Sequence, residues 1–107
     1  MKQVLIIEDN DGLCAMYETI LEDALSFQFE IQKKPKAIRN ALNRAWDLIV
    51  SDVDIEGLDV AEIKQSAKCK LVFLTGAPDS PAVAGFKAYS KEHLASRLQQ
   101  IIEENLT

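Results

Sequence analysis

Asp47-Leu48-Ile49-Val50-Ser51-Asp52 is a short, β-branched apolar run bounded on both sides by acidic residues. A run without polar alternation suits a central strand covered by helices on both faces. Working outward, Val4-Leu5-Ile6-Ile7 and Leu71-Val72-Phe73-Leu74 repeat the pattern. Phe27, Phe29 and Ile31 instead alternate with Gln28, Glu30 and Gln32, as expected at a sheet edge. Ala88-Tyr89-Ser90 is the candidate for the opposite edge.

Between these runs the apolar period becomes helical. Leu13, Met16, Tyr17, Ile20, Leu21 and Ala24 share one face, as do Ile38, Ala41, Leu42 and Ala45, and later Leu94, Leu98, Ile101 and Ile102. Val60, Ile63 and Ala67 form a thinner stripe after Gly57. Pro35 suits a helix's first turn, and Ser80-Pro81 reads as an N-cap followed by proline at the first helical position. The helix begun there has room for about two turns before Gly85. The alternation predicts an α/β fold: a doubly wound, five-stranded parallel sheet of order 2-1-3-4-5. Its ligand site should lie at the carboxyl edge, between strands one and three.

The 107 residues, 48% hydrophobic and 27% charged, predict one domain spanning 1–107. A net charge of −5 argues against binding nucleic acid or an anionic membrane. The apolar runs fall far short of the roughly 20 residues a membrane helix needs, and the N-terminus lacks a signal peptide's layout, so a cytoplasmic location is expected. Cys14 and Cys69 lie in no metal-binding spacing and are expected to be buried free thiols. His93, the one histidine, is expected to be a solvated residue in the first turn of the final helix.

The residues at and just beyond the strand ends put Glu8 and Asp9, Asp52 and Asp54, Thr75 and Lys91 along one edge. Singly these are ordinary turn, cap and surface residues. Together, at least three carboxylates at the switch point would repel one another unless a cation neutralised them, and a hard, oxygen-seeking ion such as Mg²⁺ is the natural partner.

On these residues the chain resembles the receiver domains of two-component response regulators, over essentially its whole length. Val4 to Asn10 resembles the family's first strand with its acidic pair, and Asp47 to Asp52 the strand ending in the phosphoaccepting aspartate. Leu71 to Gly76 resembles the strand carrying a hydroxyl residue, and Tyr89-Ser90-Lys91 the stretch with the lysine. The resemblance implies a flavodoxin-like fold and Mg²⁺ held by Glu8, Asp9, Asp52 and the backbone carbonyl of Asp54. It makes Asp52 the nucleophile toward a phosphohistidine or acyl phosphate, Lys91 a point charge on the phosphoryl oxygens and Thr75 the sensor of the product. It also implies a histidine kinase or phosphotransfer protein upstream and a protein partner downstream, for a phosphorelay component that catalyses at most its own phosphorylation and dephosphorylation; the little room for helix between Gly76 and Gly85 leads to the expectation of a monomer.

The sequence also departs from the family. Glu56 stands where proline is frequent, Asp54 adds a carboxylate, and Lys91 follows Thr75 by 16 positions, several fewer than usual. Tyr89 lies two residues before the lysine, whereas the family's switch aromatic lies three before, which in a strand turns it to the other face. A phosphorylation-independent pseudo-receiver acting as a scaffold is therefore the alternative. A haloacid-dehalogenase-type phosphatase, suggested by Asp52-Val53-Asp54, is disfavoured because that family carries its nucleophile on the first strand.

Overall fold

The computed structural model describes residues 1–107. Five strands, β1 (Lys2–Ile7), β2 (Phe27–Gln32), β3 (Leu48–Asp52), β4 (Lys70–Thr75) and β5 (Lys87–Ser90), alternate with helices α1 (Asp11–Leu21), α2 (Pro35–Leu42), α3 (Val60–Ser66) and α4 (Leu94–Asn105). The sheet is parallel throughout and runs β2-β1-β3-β4-β5, the order expected from the apolar runs.

The unbroken apolar runs arise because both faces of the central strands are buried. Val4, Ile6, Leu48, Val50, Val72 and Leu74 face α1 and α4, where they meet Tyr17, Leu21, Leu98 and Ile102. The intervening Leu5, Ile7, Ile49, Leu71 and Phe73 face α2 and α3 with Ile38, Leu42 and Ile63. Each fully buried aliphatic side chain of this kind contributes about 1.5–3 kcal/mol. No helix is long and apolar enough to cross a membrane.

Several local expectations need correction. The segment after β4 holds one 3₁₀ turn, Pro81–Val83, in place of a two-turn helix. Ser80 caps it by accepting from the Ala82 N–H at 3.2 Å, but only Val83 of the turn is buried, so a longer helix would gain little apolar contact. α2 stops at Leu42, leaving Ala45 exposed and outside the helical face. Trp46 Nε1 donates to the Ala41 carbonyl at 2.8 Å, joining the Arg44 N–H that bonds the same carbonyl at 3.0 Å. His93 is exposed as expected but precedes the first turn of α4, in a left-handed conformation at φ 56°. Cys14 is buried, whereas Cys69 is only half-buried.

Candidate functional site

Glu8 and Asp9 directly follow β1, and Asp52 closes β3, the neighbouring strand. One carboxylate oxygen from each of the three lies within 4.8 Å of the others. Glu8 is 2% exposed and Asp52 9%, while Asp9 is half-buried. Burial pushes the Glu8 carboxyl above its ordinary range, and the neighbouring Asp52 charge adds to the rise.

Lys91 enters from the end of β5. Its ammonium lies 3.0 Å from Asp52 Oδ1 and 3.3 Å from Glu8 Oε1. Burial alone would depress this ammonium, but the contacts with Asp52 and the charge of Glu8 outweigh it and hold Lys91 above its ordinary value. The Val53 N–H also donates to Asp52 Oδ1, at 2.9 Å. With both contacts on Oδ1, Oδ2 is the oxygen available to an incoming group.

Asp9 also braces the backbone, since its Oδ2 accepts from the Glu56 N–H at 2.9 Å and so ties the loop after β3 to the end of β1. The loop turns at Gly57, where φ is +79° and an added Cβ would come within 3.2 Å of Pro35. Asp54 is exposed and outside the three-carboxylate cluster, lining an open pocket of about 550 Å³ with Asp9, Glu56 and Asp59.

Thr75 ends β4 one residue beyond the Asp52–Leu74 register pair, which brings it to the same edge. Its Oγ1 accepts from the Ala77 N–H at 3.1 Å, and its backbone carbonyl accepts from the Lys91 N–H at 3.1 Å. The side chain that carries the expected hydroxyl is thus bonded to the start of the segment that holds the single 3₁₀ turn.

Two contributors were not legible as site residues. Tyr17, fully buried on α1, donates its hydroxyl to Glu8 Oε1 at 3.0 Å, and Cys14 donates to the Glu8 backbone carbonyl at 3.2 Å. Burial pushes the Tyr17 phenol above its ordinary range and the Cys14 thiol up to about 11, so both stay protonated donors. The one available signal was a phenol on an otherwise apolar helix face, because a buried tyrosine hydroxyl usually finds a partner.

The donor set fits a small hard cation: three carboxylates without sulfur or imidazole. Lys91 bonds two of the three, Glu8 and Asp52, which leaves room in the charge balance for a divalent ion.

No family model and no curated protein matches the sequence. Solved structures do. A response regulator from Thermotoga maritima, in complex with Mg²⁺-BeF, superposes with a TM-score of 0.79 at 16% identity, over 99% of this chain and 100% of that one. A CheY-like receiver domain from Methylobacillus flagellatus gives 0.74 at 23% identity, covering 98% of each. The N-terminal domain of a response regulator/sensory box/GGDEF three-domain protein from Carboxydothermus hydrogenoformans gives 0.70 at 28%, over 98% of this chain and 94% of that one. With TM-scores of 0.70 to 0.79 at near-complete coverage of both chains, the chain has the fold of a response-regulator receiver domain.

Proposed function

We propose that residues 1–107 form one receiver domain that accepts a phosphoryl group on Asp52 from a histidine kinase or phosphotransfer protein and passes the signal to a downstream protein, as a cytoplasmic monomer. The observation that carries this reading is the Lys91 ammonium resting on Asp52 Oδ1 at 3.0 Å beside Glu8 and Asp9. That arrangement presents a nucleophilic carboxylate, a cationic stabiliser and a cation-hungry acidic pair at one edge.

In the reaction Asp52 Oδ2 attacks phosphorus. An O–P bond forms as the bond to the donor's imidazole nitrogen, or acyl oxygen, breaks and its electron pair leaves with that group. Lys91 turns from the carboxylates to the phosphoryl oxygens, offsetting charge as it builds there. Glu8, Asp9 and Asp52, with the Asp54 carbonyl, would hold Mg²⁺, which supplies further neutralisation of the phosphoryl charge. The Mg²⁺-BeF complex of the Thermotoga neighbour supports this assignment. Thr75 has a hydroxyl proton to offer the product, and its turning would release the Ala77 N–H. Phosphorylation therefore mainly reorders the segment from Gly76 to Gly85.

Incubation with acetyl phosphate, with and without Mg²⁺, followed by intact mass, tests the reading. One added phosphoryl group is expected only with Mg²⁺. No uptake under any condition would leave the scaffold reading, which the acidic Asp54, Glu56 and Asp59 around the neighbouring pocket favour by repelling an anionic donor.

A further inference from the structure

We infer that Tyr17 is a positioning residue for Glu8, fixing the orientation in which this carboxylate meets a metal ion and thereby setting a preference for Mg²⁺ over larger divalent ions. The inference rests on the metal site of the reading above and concerns a residue outside the set of carboxylates and lysine that defines it.

Glu8 differs from Asp9 and Asp52 by an additional methylene, hence one more torsion to fix before its oxygens can hold a defined place. Two residues of α1 restrain it. Cys14 and Tyr17 are three apart and share a helix face. Cys14 holds the Glu8 main chain through its carbonyl at 3.2 Å, and Tyr17 holds the carboxylate through Oε1 at 3.0 Å. The residue is thus fastened at both ends.

The hydroxyl is not needed for packing. Tyr17 is fully buried in a cluster with Val4, Ile6, Leu21 and Leu98, where a phenylalanine ring would bury the same apolar surface without a polar atom to satisfy. Nor does Lys91 make it redundant. Both groups sit on the same oxygen, Oε1, with Lys91 at 3.3 Å. Once Lys91 turns toward a phosphoryl group, Tyr17 is the remaining donor on Oε1, while the Asn10 N–H holds Oε2 at 3.3 Å. Mg²⁺ demands near-octahedral geometry, whereas Ca²⁺ accepts variable geometry and more ligands, so a fixed carboxylate favours the smaller ion.

The test measures Mg²⁺ and Ca²⁺ dissociation constants by calorimetry, with melting temperatures, for the wild type, Tyr17→Phe, Glu8→Asp and the double variant. Removing groups that orient metal ligands typically costs 10–100-fold in affinity, so Tyr17→Phe is expected to weaken Mg²⁺ binding about tenfold and Ca²⁺ binding less. Aspartate at position 8 is too short to keep the Tyr17 contact, so Tyr17→Phe should change Mg²⁺ affinity little in that background. Equal losses for both ions, equal losses in both backgrounds, or no loss at all would overturn the positioning role while leaving the metal site standing. A wild type that binds no Mg²⁺ would overturn the metal site and this inference with it. Should Tyr17→Phe fail to fold, Glu8→Asp alone breaks the same contact: a fall in the Mg²⁺/Ca²⁺ preference supports the role, and an unchanged preference refutes it.

Discussion

Replacing Lys91 by methionine keeps most of the length of the side chain and removes the ammonium that bonds both Glu8 and Asp52. Its contacts at 3.0 Å with Asp52 and 3.3 Å with Glu8 are charged at both ends, and such bonds are worth about 1.5–3 kcal/mol each. The Lys91 side chain is 26% exposed, so the lower figure applies to each, and a loss of about 3 kcal/mol is expected without metal. At about 4–8 °C per kcal/mol for a domain near this size, that is a fall of roughly 12–24 °C in Tm. In the wild type a bound cation must share Glu8 and Asp52 with the lysine, while in Lys91→Met it meets them unpaired. Millimolar Mg²⁺ should therefore raise Tm more in the variant than in the wild type, by mass action on the native state. Thermal melts with and without Mg²⁺ read both effects. A variant as stable as the wild type without metal, or equal Mg²⁺ increments in the two, would refute the charge balance argued for this edge.

Three further outcomes are expected. Asp52→Asn should abolish acetyl phosphate labelling while Asp54→Asn keeps it, by intact mass; the reverse result would put the nucleophile two residues downstream. Ile63 is the one buried residue of the seven-residue α3, so Ile63→Ala should cost about 2–5 kcal/mol in urea unfolding and raise hydrogen exchange first in that helix; a loss under 1 kcal/mol would mean that α3 is held by other contacts. Cys14 is raised from 9.0 to about 11 in the folded chain, so the unfolded state loses its proton first as pH rises. Its contribution is therefore whole below pH 9 and declines toward pH 11, with Cys14→Ala flattening that limb of a stability–pH profile and wild-type Cys14 resisting alkylation at pH 8.

The parts of the fold that were legible are those where burial alone writes the sequence. β1, β3 and β4 are covered on both faces and so are apolar at successive positions; β2, at an edge, alternates and is only partly buried past Phe27. Topology then placed Glu8, Asp9, Asp52, Thr75 and Lys91 at one edge, because residues after parallel strands share an end of the sheet. Helix ends were less legible because they depend on contacts distant in sequence or on local backbone choices. Ala45 fits the period of α2, yet the chain turns at Asn43 and Trp46 folds back onto Ala41. Tyr17 likewise has the spacing of a core residue, and only the approach of α1 to the end of β1 reveals that its hydroxyl serves Glu8.

The shifted aromatic near Lys91 follows the same logic. Tyr89 packs against the α1–α4 side of the sheet, while Ala88 faces the α2–α3 side. The Tyr89 hydroxyl donates to Glu104 at 2.9 Å and accepts from Asn105 Nδ2 at 3.0 Å, which ties β5 to the last turn of α4. Phe86, rather than Tyr89, covers the opposite side, meeting Phe73 edge-on with ring centroids 5.5 Å apart, and the Lys64 ammonium lies 5.3 Å from its ring centre while bonding the Ala82 carbonyl. An aromatic held by two hydrogen bonds from a well-packed helix is costly to swing, whereas Phe86 is 38% exposed and borders the single 3₁₀ turn. A movement of Thr75 that frees Ala77 thus meets least resistance along the chain from Gly76 to Phe86, and the face it would reshape is the one carrying Phe86, Lys64 and the 3₁₀ turn.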